Sequence, residues 1–160
     1  MFCQIASGAR PVEIVHESRT TIAFLEPHPV SPGQTLLVPR SHVATLLQLP
    51  DGAAGSFFAS LLEVSEDLTG ALRPAGLQVS WTEGSADGGH GSHLHARLVP
   101  RFRGGLSGME ALGEGAYREH LAEIASIIRR RRGGPRGERA SRLVPRRTAT
   151  RGAAAGDGNP

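Results

Sequence analysis

The stretch Asp87-Gly-Gly-His90-Gly-Ser92-His93-Leu94-His95-Ala96-Arg97-Leu98-Val99-Pro100-Arg101 is the part of this 160-residue chain richest in groups that do chemistry. Residues two apart in a strand share a face. His93, His95 and Arg97 therefore line one side, while Leu94, Ala96 and Leu98 line the other and can pack on helices. A guanidinium presents a fork of donors to phosphate, and an imidazole donates, accepts or attacks. The glycines among residues 88–91 let backbone N–H groups approach an anion closely, as in a nest. Three chemistries fit this pattern. His93 and His95 could ligate a metal with His42, His90 or an acid as third ligand, but the fixed positive charge of Arg97 opposes a cation. The strand could simply turn its polar side to solvent, although clustered histidines are an odd choice for that. Phosphoryl or nucleotidyl transfer with a histidine nucleophile uses every polar group.

The elements around this segment read as short strands interrupted by two helices. Apolar, partly β-branched runs at 12–16 and 20–25 flank a turn-prone 17–19 and predict a hairpin. Pro27, Pro29 and Pro32-Gly33 force a loop. Strands are predicted at 34–38, stopped by Pro39, at 76–82 and at 93–99 before Pro100. One helix is predicted over 51–72 with Asp51 as N-cap, because Phe57, Leu61, Val64, Leu68 and Leu72 make one apolar stripe. A second, over 115–132, carries Tyr117, Leu121, Ile124, Ile127 and Ile128, with arginines in its last turn suiting the dipole. These are read as core stripes, and Trp81 as core. The order of elements implies an α+β fold with a mainly antiparallel five-stranded sheet.

Charge sharpens the division of the chain. There is no lysine, so all 18 basic residues are arginine, and a small excess of them drives the pI to about 10.3. Ten arginines and two acids fall in 129–160, a net +8; residues 1–128 hold eight arginines and thirteen acids, a net −5. The expected organisation is a domain over 1–132 and a disordered basic tail over 133–160, since the tail has too little apolar surface to offset its ordering entropy. Nucleic-acid contact by that tail is conceivable on charge alone. No apolar run spans a membrane and no leader opens the chain, so a cytoplasmic protein is expected. The lone cysteine, Cys3, excludes an internal disulfide. His16 and His120 have no partners at suggestive spacing and read as surface residues.

The motif His93-Leu94-His95-Ala96-Arg97-Leu98-Val99 resembles that of the histidine-triad (HIT) family, His-φ-His-φ-His-φ-φ with φ hydrophobic, Arg97 standing in place of the third histidine. Phe2-Cys3-Gln4-Ile5 is similar to the family's Phe-Cys-Lys-Ile, Ala23-Phe24-Leu25-Glu26 to its ribose-binding strand, and residues 29–42, ending Pro39-Arg40-Ser41-His42, to its Pro-x-x-Pro-Gly-His-x-Leu-Val-Ile-Pro-Lys-x-His. The likeness covers about residues 2–102.

The resemblance implies a HIT-like α+β fold with two helices, a homodimer with a continuous sheet, and cleavage or transfer at the α-phosphorus of a nucleotide. His95 maps to the nucleophile, His93 to the residue orienting it, and His42 to the outlying histidine near it. Glu26 takes the ribose-binding position, usually aspartate. Gln78 and Thr82 replace asparagines; Gly89, Arg101 and, less directly, Arg40 are phosphate-side candidates, and His28 could wall the base. Arg97 cannot protonate a leaving group, so either that group needs no proton or another acid such as His90 supplies it. No cofactor is expected. Cys3 has no second cysteine two or three residues before it, so no structural zinc is expected. The alternative is a non-catalytic nucleotide- or anion-binding protein.

Overall fold

The computed structural model describes residues 2–81, 93–103 and 113–132, with the side chains of 113–119 excepted. Five strands form one antiparallel sheet in the order β1-β2-β3-β5-β4: β1 Ile14–Glu17, β2 Thr21–Leu25, β3 Thr35–Pro39, β4 Gly76–Trp81 and β5 Ala96–Arg101. Helix α2, Ala53–Leu72, and helix α3, Gly113–Arg132, pack against each other and against one sheet face. The α+β architecture and five-stranded sheet match the expectation. A third helix does not figure in it: α1, Phe2–Ala6, is only five residues long and lies on the opposite face. The anticipated tail over 133–160 lies outside the described residues.

Alternation along the strands divides the sheet cleanly. Ala23, Leu25, Leu37, Leu94, Ala96 and Leu98 join Phe57, Val64 and Leu68 of α2 and Ala125 and Ile128 of α3 in the larger core. Ile22, Phe24, Leu36 and Val38 point the other way and are covered by Ile5 and Ala6 of α1. Burying β2 and β3 on both faces explains why they read as nearly continuous apolar runs.

Several local expectations are revised. Helix α2 is capped by Gly52 in a left-handed conformation rather than by Asp51. On α3 the buried line runs through Leu121, Ile124, Ala125 and Ile128, leaving Ile127 on the exposed side. Trp81 is 45% exposed and meets Phe58 edge-on at 6.4 Å instead of entering the core. His16 is no surface residue. It is 2% exposed beneath α2, its Nδ1 3.8 Å from a Glu63 carboxylate oxygen, and neither ring nitrogen makes a hydrogen bond. Burial, helped by nearby Arg132 and partly opposed by Glu63, pushes its pKa down to about 4.

A turn sets the loop before β3. Gln34 N–H donates to Ser31 C=O at 3.0 Å, and Gly33 between them has φ of +76°, the left-handed value a type II turn needs at that point. A Cβ on Gly33 would also overlap Leu72 Cδ1. Glu26 N–H donates to Gln34 C=O at 2.9 Å, so the turn fixes where Glu26 leaves β2.

Candidate active site

Ladder pairing of β5 begins at Ala96, so residues 93–95 form a lead-in rather than strand. Leu94 anchors that lead-in: its N–H donates to Val43 C=O at 2.6 Å and its side chain is fully buried on the helix side. His93 and His95 are thereby turned to the α1 side, where both are buried, at 4% and 8% exposure. Phe2 of α1 covers them, its ring centroid 5.0 Å from His95 and 6.1 Å from His93.

The hydrogen bonds of the two imidazoles fix their tautomers. His95 Nδ1 lies 3.1 Å from His93 C=O, and a carbonyl can only accept, so Nδ1 carries the proton and Nε2 keeps a free lone pair. His93 Nε2 lies 2.9 Å from Pro39 C=O, so its proton is on Nε2 and its Nδ1 is the bare nitrogen. Burial, opposed by that carbonyl, pushes the His93 pKa down. An oriented imidazole with a free Nε2 is what a nitrogen nucleophile requires.

Arg97 follows two residues later on the same face, paired in register with Leu36 on β3 and Ser80 on β4. It is exposed, and no described residue bonds its guanidinium. Arg101, next but one again, donates to Gln78 Oε1 on β4. Glu26, half-buried at the end of β2, accepts weakly from His28 N–H at 3.4 Å. Arg40 turns away from any anion site: it donates to Ser18 C=O at 3.0 Å and Ala6 C=O at 2.9 Å and pairs with Glu17, tying α1 to the β1–β2 turn. His90, Thr82 and Gly89 lie outside the described residues.

The HIT domain profile matches residues 7–104. The chain belongs to the HIT domain family. Protein hit of Bacillus subtilis is 28% identical over 102 residues, 64% of this chain and 70% of that protein. An adenosine 5′-monophosphoramidase of Schizosaccharomyces pombe is 28% identical over 101 residues, 63% of this chain and 73% of the relative. The fold of a Hit-like protein from Bartonella henselae superposes with a TM-score of 0.67 at 24% identity, covering 81% of this chain and 94% of that one.

Just before the matched HIT domain, the sequence pattern did not reveal Phe2 as a wall of the site or the company Cys3 keeps. Cys3 Sγ is 3.2 Å from His42 Nδ1 and 3.4 Å from His93 Nδ1, and the two rings meet edge-on at 5.2 Å. All three donor atoms lie within 4.8 Å of one another. The described contacts of His42 are thus with Cys3 and His93, and none is with His95. The expectation of no structural zinc rests on the missing second cysteine; the cluster offers a different donor set, one cysteine with two histidines. One sulfur and two nitrogens suit Zn²⁺, and the Pro39 carbonyl holding His93 Nε2–H is the outer-shell partner such a ligand ordinarily has. These residues fit a metal; it would tie α1 to the segments after β3 and before β5. The motif Phe2-Cys3 was the available signal, since it sits in the resemblance to the family.

Proposed function

We propose that this HIT protein is a nucleotide hydrolase or nucleotidyltransferase acting at the α-phosphorus of an adenosine nucleotide conjugate. The observation that carries this reading is the His95 Nδ1–H bond to the His93 carbonyl, which leaves Nε2 free to attack. In the first step the Nε2 lone pair forms a P–N bond and the bond from phosphorus to the leaving group breaks, its electron pair departing with that group. In the second, water or another acceptor attacks the same phosphorus, the P–N bond breaks, and His95 is regenerated while the acceptor's proton passes to solvent. Glu26 binds the ribose hydroxyls, Phe2 walls the pocket, and Arg97, standing in for a third triad histidine, meets phosphate charge. The relationship to an adenosine 5′-monophosphoramidase supports the chemistry at this phosphorus.

Acid-stable isolation is unsuited to a P–N bond, so the test is alkaline quenching with α-³²P-labelled adenosine conjugates and peptide mapping. The expected result is label on His95, none in His95→Ala, and turnover lowered roughly 10⁴-fold in that variant. The exposed Arg97 also favours a second reading, a binder of nucleotide anions without turnover; saturable binding with no label and no product would establish it. A homodimer is part of the proposal. Strand β4 is a sheet edge, and Val79, Trp81, Phe58 and Leu62 make an exposed apolar strip beside it that a second copy would cover.

A further inference from the structure

We infer that Arg97 tunes this enzyme toward leaving groups that depart as stable anions (phosphate, sulfate or a polyphosphate) and against those that must be protonated as they leave. The inference rests on the proposed role of His95 and adds the chemical class of the departing group.

Three observations converge on it. First, Arg97 pairs in register with Leu36, a residue of the α1 side, so it shares the face to which His95, two residues before it, is turned. Secondly, no described residue satisfies that guanidinium. The neighbouring Arg101 donates to Gln78, and Arg40 to Ser18, Ala6 and Glu17, whereas Arg97 has no partner among the described residues. Thirdly, the titratable groups described around His95 are committed elsewhere: His93 gives its Nε2 proton to Pro39 C=O, and Cys3 and His42 face each other and His93.

The chemical consequence follows from what a guanidinium can do. It offers two parallel N–H donors to oxygens carrying charge, and it does not release a proton at any pH at which proteins work. When the leaving group is phosphate or sulfate, the P–O bond breaks, the electron pair stays on an oxygen that is already a stable anion, and Arg97 bonds that anion directly. When the leaving group is an amine, breaking the P–N bond without a proton would expel an amide ion. An alcohol presents the same difficulty to a smaller degree. A positioned general acid contributes roughly 10²–10⁴-fold to such steps, and that is the discrimination expected.

The experiment compares kcat/KM for adenosine 5′-phosphoramidate, adenylyl sulfate, a diadenosine polyphosphate and a series of phenyl esters of adenosine 5′-monophosphate with graded phenol acidity. Wild type should turn over adenylyl sulfate or the polyphosphate at least ~100-fold faster than the phosphoramidate, with rates along the phenyl series falling steeply as the phenol becomes less acidic. Arg97→His should flatten that dependence and narrow the gap. Arg97→Gln, which keeps neither charge nor a transferable proton, should lose rate on every anionic leaving group while His95 is still labelled. A wild type that prefers the phosphoramidate overturns the inference and leaves the histidine nucleophile standing, as does a leaving-group dependence identical in wild type and Arg97→His. No label at His95 and no turnover of any member overturns the proposed function and this inference with it.

Discussion

A backbone atom orients His95. The His93 carbonyl holds Nδ1–H, so no side chain is needed to choose the tautomer, and the proposed nucleophile depends on the path of the chain through 93–95. His93 in turn has both ring nitrogens occupied, by Pro39 C=O and by the Cys3 cluster. Metal at that cluster should matter to stability more than to the chemical step. Chelation is expected to lower the melting temperature of zinc-loaded protein and to leave Cys3→Ala unmoved; equal melting shifts in both would exclude a site there. His16 gives a different pH signature. Its folded pKa of about 4 lies below the ordinary 6.5, so it is neutral in both states above pH 6.5. As pH falls through 6.5 the unfolded chain gains a proton that the native state refuses, and stability declines until about pH 4, by up to about 3 kcal/mol. Urea midpoints for His16→Asn should be flatter than wild type across that window, and parallel profiles would refute the assignment.

At the level of elements, the loop between β2 and β3 is where one residue decides most. Gly33→Ala would force a left-handed φ on a residue with a Cβ and push that Cβ into Leu72, so a loss of about 1–3 kcal/mol is expected in denaturant titration. Because the same turn sets Glu26, nucleotide KM should rise in the variant that still folds. Most strands and the stripe on α2 were legible because burial on one or both faces writes itself as alternation, an apolar run or a 3–4 spacing. Helix α1 was not, since five residues carry no period. The start of β5 differs from the strand expected there because His93 and His95 alternate like strand residues while the one backbone–backbone bond of 93–95 among the described residues is Leu94 to Val43. His16 was misread for a reason of the same kind: its two apolar neighbours, Ile14 and Val15, say nothing about which face lies under α2. The pairing of Cys3 with His42 and His93 spans separations of 39 and 90 residues, which no local pattern encodes.

For the whole molecule, the arginine count overstated the free basicity. Arg129 bonds Glu13 and Ile14 C=O, Arg132 pairs with Glu63 and Asp67, and Arg131 lies against Gly70, so much of the run that ends α3 docks that helix onto α2 and β1. Removing residues 133–160 is expected to leave small-nucleotide turnover within about twofold; a large loss would show that the tail belongs to the site. Trp81→Lys on the β4 edge should shift the protein to monomer in sedimentation if a second copy covers that strip. The strand order also has a kinetic meaning. Strand β5 follows β4 in the chain but lies between β3 and β4, and its ladder to β3 joins Thr35 with Leu98, residues that are far apart in sequence. The hairpins β1–β2 and β2–β3 close over short loops, whereas seating β5 against β3 must close a loop of some sixty residues, a costlier and later event. Phe2 and His95 meet only when that ladder zips. In stopped-flow refolding, helical ellipticity should therefore recover before nucleotide binding does, and the half-folded chain should be chemically silent.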